Sequence, residues 1–118
     1  MTRINLTQHN AAPEQDCLSR SEETAQEIKE LLTFNEIPSL AEITNRAAAL
    51  AEIAKVIGAT EAMIGGAPYR ILALDPALRL KGITPIYAFS RREVVEKINE
   101  DGSTTKSAVF RHLGFVRL

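Results

Sequence analysis

His9 is the first residue of the chain whose type and setting could do chemistry. It follows Ile4-Asn5-Leu6-Thr7, which alternates apolar and polar and reads as a short strand, and it sits between Gln8 and Asn10. An imidazole at a strand end could act as general acid or base, or bond a phosphate oxygen. A histidine that only shapes a loop explains the same residue. Thr7 and Gln8 could donate hydrogen bonds to a ligand or could close the loop. Gly65 and Gly66 follow the apolar run Glu61-Ala62-Met63-Ile64. Glycines there let backbone N–H groups approach a phosphate, and a helix N-terminus beyond them favours negative charge. A tight strand-to-helix turn needs the same two residues. Ser90, Arg91 and Arg92 follow a second apolar run, residues 83–89. A hydroxyl and two guanidiniums at a strand end suit a phosphodiester, although arginines on an exposed turn need no function. His112 beside Arg111 could bind an anion or belong to a solvated strand face. Two histidines without partner acids at ligand spacing make a weak metal site, and no metal is assigned. The dinucleotide fingerprint, the P-loop lysine pattern and the nucleophile elbow are all missing.

Positioning these residues takes alternating strands and helices. Pro13-Glu14 suits a helix start, and Ser19 with Glu22 forms a capping-box pattern for the main first helix. Ser39 with Glu42 forms a second. From there Leu40, Ile43, Ala47, Leu50, Ala51, Ala54 and Ile57 make one helical stripe, closed by Gly58. Residues 69–80 are helical in composition, with Pro76 either kinking the helix or opening a new one after Asp75. Residues 94–98 and 105–110 flank Asp101-Gly102 and read as a β-hairpin. Strands separated by helices imply right-handed crossovers and a parallel core. The fold class expected is α/β: a short parallel sheet flanked by helices, with a C-terminal β-hairpin. Ligands in such open sheets bind beyond the carboxyl ends of the strands, where residues 7–10, 64–68 and 89–93 would converge.

Composition sets outer limits. A chain of 118 residues fits one domain, residues 1–118. With 45% hydrophobic and 25% charged residues it is ordinary for a folded protein. A net charge of −1 gives no basic field for a nucleic-acid duplex, but two or three local cations can still hold a small anion. Cys17 is the only cysteine, so no intrachain disulfide forms and a reducing compartment fits best. Neither a signal peptide nor a membrane-spanning run is evident, which makes the cytoplasm the expected location.

Two stretches carry a family resemblance. In the second half the glycine turn and a helix lead to Gly82-Ile83-Thr84-Pro85-Ile86-Tyr87-Ala88-Phe89-Ser90-Arg91-Arg92-Glu93-Val94-Val95-Glu96. Asp101-Gly102-Ser103 and Val109-Phe110-Arg111-His112-Leu113-Gly114-Phe115 follow. At the start stand Leu6-Thr7-Gln8-His9 and Pro13-Glu14-Gln15. This order is similar to a family of small standalone CRISPR-accessory proteins of type III systems. The match covers about the first 15 and roughly the last 60 residues.

The resemblance implies a Rossmann-like fold related to the CARF sensor domains, usually a homodimer, and a ring nuclease that binds and cuts cyclic oligoadenylate messengers, with cyclic tetra-adenylate favoured. Metal-independent attack by a ribose 2′-hydroxyl would leave a 2′,3′-cyclic phosphate. No cofactor, duplex or membrane enters. On this reading His9 is the general acid or base, Ser90 and Arg91 contact phosphate as catalytic residues, and Thr7, Gln8, Gly65, Gly66 and Arg92 bind the ligand. An acid often follows the first glycine in that family. Here the turn reads Gly65-Gly66-Ala67, so no carboxylate role is carried over. Two rivals share the residues: a non-catalytic sensor or sponge of the same fold, and a protein-interaction subunit that uses its hairpin edge.

Overall fold

The computed structural model describes residues 2–118. β1 (Arg3–Asn5) is followed by a 3-10 turn (Pro13–Gln15), α1 (Glu22–Leu32), α2 (Leu40–Ile57), β2 (Glu61–Ile64), α3 (Pro68–Leu80), β3 (Thr84–Ile98) and β4 (Thr104–Arg117). The sheet is ordered β1-β2-β3-β4, with the first three strands parallel and β4 antiparallel to β3. The parallel strands follow sequence order without reversal. Successive right-handed crossovers in one direction place their helices on one face of the sheet. Packing agrees. Ile4, Ala62 and Ile64 from the strands share one core with Ile28 and Leu32 of α1, Ala47, Leu50, Ala51 and Ala54 of α2, and Leu74 and Leu78 of α3. The neighbouring strand residues Asn5, Glu61 and Met63 point the other way and are buried outside that core.

Local signals place the helix ends. Ser39 Oγ accepts the Glu42 N–H, and Gly58 closes α2 in the left-handed region at φ 85°, as the spacing predicts. The α1 cap differs from expectation. Ser21, not Ser19, accepts the Thr24 N–H, because residues 17–20 are committed to an extended path, with the Leu18 N–H bonded to the Arg3 carbonyl. Pro13 opens only one 3-10 turn. α3 begins at Pro68 and runs through Pro76 without a new cap. The Asp75 carboxylate instead holds Arg79, one turn on, and the Tyr87 hydroxyl.

The largest departure concerns β3. Residues 90–93 read as a strand end, with Arg92 and Glu93 open to the following strand as well; β3 instead runs unbroken through them to Ile98. Its partner β4 stays in register past a bulge at Phe89/Ser90, pairing Ser90 with His112, Arg91 with Arg111 and Arg92 with Phe110. The polar cluster is therefore an extended ladder. Beyond Tyr87, the last β3 residue paired with β2, the two strands leave the body as an arm. The radius of gyration is 17.3 Å, against roughly 13–14 Å for a compact chain of this length, and the longest axis is 57 Å.

At the opposite end of the sheet Glu61 is clamped by two arginines. Its carboxylate takes Arg3 at 3.0 Å and Arg117 at 2.8 Å, and its side chain is only 4% exposed. Both guanidiniums lie over the Phe115 ring, at 4.3 and 5.9 Å. The cluster joins β1, β2 and β4 across the sheet.

Candidate functional site

The carboxyl ends of β1 and β2 open into a cleft of about 330 Å³. Thr7, Gln8, His9, Gly65, Gly66 and Arg70 line it, together with Asn10, Gln15, Met63, Ile64, Tyr87 and Ala88. A second depression, of about 730 Å³, shares Thr7, Gln8 and Asn10 with it and adds Arg20 and Lys29. The apolar cavity under Phe34 and Arg46 holds only about 10 Å³, room for no more than one water.

Asn5 shapes the first wall. It is 1% exposed and its amide is fully engaged: Nδ2 donates to the His9 carbonyl at 2.7 Å, and Oδ1 accepts the Thr7 N–H and hydroxyl at 2.9 and 2.6 Å. The chain therefore folds back on itself just past β1, and His9 is held there by its backbone. Gln8 reaches the end of α1, donating to the Leu32 carbonyl at 3.2 Å. Because the strand order has no reversal, the cleft owes its shape to this loop rather than to a topological switch point.

The glycine turn makes the second wall. Gly66 has φ 102°, and a Cβ built on it would collide with Arg70 Nη2. Only glycine fits that backbone and leaves room for the guanidinium. Arg70 Nη1 donates to the Leu32 carbonyl at 2.7 Å, the acceptor Gln8 also uses, so α1, the loop after β1 and α3 meet at one point. The N-cap of α3, Ala67, has no side chain to cap the helix. Among the described residues, the N–H groups of Gly66 and Ala67 have no backbone partner. Free N–H groups, a helix N-terminus and a guanidinium are groups whose chemistry suits an anion.

Tyr87 closes the back of the cleft. Its hydroxyl donates to Asp75 Oδ2 at 2.6 Å, while Arg79 Nε donates to Oδ1 at 2.7 Å. Burial and the bond to Asp75 push the Tyr87 phenol up to about 12. Burial opposes ionisation of Asp75, but the bonds from Arg79 and Tyr87 outweigh it and hold the carboxyl below its usual range. Tyr87 is therefore neutral at physiological pH and serves as a wall, not a base. Its folded pKa exceeds the ordinary 10.0, so its contribution to stability is complete below that value and is lost as pH rises toward about 12. Denaturant midpoints measured across this alkaline window should fall for the wild type. They should fall less for Tyr87→Phe, which starts less stable.

Five residues expected at the site thus meet in one cleft: Thr7, Gln8, His9, Gly65 and Gly66. Ser90, Arg91 and Arg92 do not join them within the chain. They lie exposed along β3, where Arg91 and Arg111 bracket Glu93 at 2.8 and 3.8 Å. Sequence reasoning missed Arg70, Arg20 and Asn5. Arg70 carried a legible signal, a cation in the first turn of a helix that follows a glycine turn. Asn5 carried none, since its role depends on the return of residues 7–9.

The sequence matches the family described as Uncharacterized protein MJ1673 family over residues 1–116. The chain belongs to that family. No curated protein and no solved structure matches it. Among the described residues of this MJ1673-family chain, no three or more His, Cys, Asp or Glu side chains are grouped to hold a metal ion, and no helix is long and apolar enough to cross a membrane.

Proposed function

We propose that the cleft binds a phosphodiester of a cyclic oligoadenylate, and that the protein is a cytoplasmic, homodimeric ring nuclease with a Rossmann-like, CARF-related fold. The observation that carries this reading is one cleft lined by His9, Gly66 and Arg70, with the uncapped N-terminus of α3 following directly on Gly66 in the chain. The resemblance of the opening and C-terminal segments to type III accessory proteins supplies the substrate class. Arg70 and the Gly66 and Ala67 N–H groups hold the phosphate and offset the charge that builds on its oxygens. His9 moves the proton. The ribose 2′-oxygen attacks phosphorus in line, the P–O5′ bond breaks, and the products are a 2′,3′-cyclic phosphate and a 5′-hydroxyl. Arg70 takes the phosphate-contact role that the resemblance implied for Ser90 and Arg91.

A second reading is a sensor or sponge that binds the ring without cutting it. It is favoured because Ser90, Arg91 and His112 do not line the cleft, so that His9 is the one imidazole there.

The test is incubation of the purified protein with cyclic tri-, tetra- and hexa-adenylate, with and without chelator, following products by chromatography and mass. Linear products ending in a 2′,3′-cyclic phosphate support the nuclease. Intact rings with measurable affinity support the sensor, and intact rings without binding overturn both. Under either reading Arg70→Ala should weaken ring binding roughly 10- to 150-fold, the value of a charge-assisted hydrogen bond, as read by titration calorimetry.

A further inference from the structure

Beyond Tyr87 the arm formed by β3 and β4 pairs with no third strand among the described residues. A two-stranded ribbon is marginal by itself in water, and this one leaves large apolar side chains in solvent. Phe110 is 75% exposed, Ile98 79% and Val94 63%. Strand alternation sorts the arm into two unlike faces. One carries the ion cluster Arg91, Glu93 and Arg111. The other carries Val94 opposite Ala108, Arg92 opposite Phe110, Glu96 opposite Lys106, and Ile98 opposite Thr104. The second face continues the side of the sheet without helices, where Phe115 and Ala88 lie.

We propose that this second face is the dimer interface, and that it packs on the same face of a second copy with the two arms antiparallel. The proposal takes the homodimer of the preceding section as its starting point but does not depend on the ligand. The charge pattern chooses the occupant and the register. Place a twofold axis across the ribbon at the Val94–Ala108 pair. Every β3 residue a given number of steps toward the tip from Val94 then faces the residue as many steps toward the base in the other copy. Glu96 meets Arg92 of the second copy, and Arg92 meets its Glu96. The Lys106 stem lies on Phe110 of the second copy, and the small pair Val94 and Ala108 sits at the axis, where the ribbons come closest. Shifting the axis by one residue separates the opposite charges. A face whose charges complement themselves under a twofold fits a second copy of this chain. The bodies then lie at opposite ends of the crossed arms, so the contact closes at two subunits.

The experiment is sedimentation equilibrium of the full chain, without nucleotide, over a range of concentrations. The expected results are a mass of two chains for wild type and of one for Phe110→Glu, with the circular dichroism of the two unchanged. Val109→Glu, on the ion-cluster face, should stay dimeric. Arg92→Glu and Glu96→Arg should each weaken the dimer about tenfold or more, and the double variant should recover most of it, as expected for a close interfacial charge pair. A monomeric wild type overturns the homodimer itself. A dimer indifferent to Phe110→Glu, or broken by Val109→Glu, overturns this face while leaving the homodimer standing. Failure of the charge swap to rescue overturns the antiparallel register.

Discussion

Replacing His9 with alanine is expected to slow ring opening by roughly a hundred- to ten-thousand-fold and to leave ring affinity within a fewfold of wild type, the range typical of a lost general acid or base. The structure explains why the two effects separate. The bonds that hold the loop at residue 9 go to its backbone: Asn5 Nδ2 donates to the His9 carbonyl, and Thr7 Oγ1 accepts the His9 N–H. The ring can therefore be removed without releasing the loop. Of the groups assigned to phosphate, Gly66 and Arg70 belong to the other wall. Single-turnover kinetics would measure the rate and calorimetry the affinity. Added imidazole should restore part of the rate in His9→Ala, which a purely structural role for the residue would not permit. Equal losses of rate and affinity, without rescue, would remove His9 from the chemistry.

Replacing Glu61 with alanine should cost about 2–4 kcal/mol of folding stability. Breaking a buried ion pair by deleting one partner commonly costs about 3–5 kcal/mol. The lower range applies here because the Arg117 side chain is 45% exposed, and water screens that half of the clamp. Arg3 is the more damaged partner. Its side chain is 15% exposed and its Nε has no hydrogen-bond partner among the described residues, so losing Glu61 leaves a largely buried charge with the Gln15 carbonyl and the Phe115 face. For a domain with a total stability of about 5–15 kcal/mol, this is a large fraction.

The same clamp sets acid sensitivity. Burial opposes ionisation of Glu61, but the hydrogen bonds from Arg117 and Arg3 prevail and bring its pKa below the ordinary 4.5. Its contribution is therefore present above 4.5 and is lost as pH falls through the lower, folded value. Urea midpoints of wild type should drop across that acid range, while Glu61→Gln should start lower and change less. An unchanged midpoint for Glu61→Ala at neutral pH would show that the triad holds nothing together.

Much of the site was legible because its signals are local. Ser39 to Glu42 and the Gly58 cap lie within a turn of the groups they satisfy, so the ends of α2 follow from spacing alone. Asp101-Gly102 announces a reversal wherever it stands between two strands, and the Asn99 and Gly102 N–H bonds close the turn there. Glycines after an apolar run mark a strand-to-helix turn, and Gly66 adopts the left-handed backbone that such a turn uses.

Tertiary structure decided the rest, because the deciding partners are far apart in the chain. Ser90, Arg91 and Arg92 look like a loop until β4 offers them a ladder; pairing energy from residues 110–112 then keeps them extended and carries them away from the cleft. Glu61 reads as an ordinary polar strand end, and only the fold brings Arg3 and Arg117 to it, 58 and 56 residues away. The helices could have covered either face of the sheet on hydrophobic pattern alone. The handedness of the crossovers puts them on one, and leaves the arm beyond Tyr87 without a helix against it.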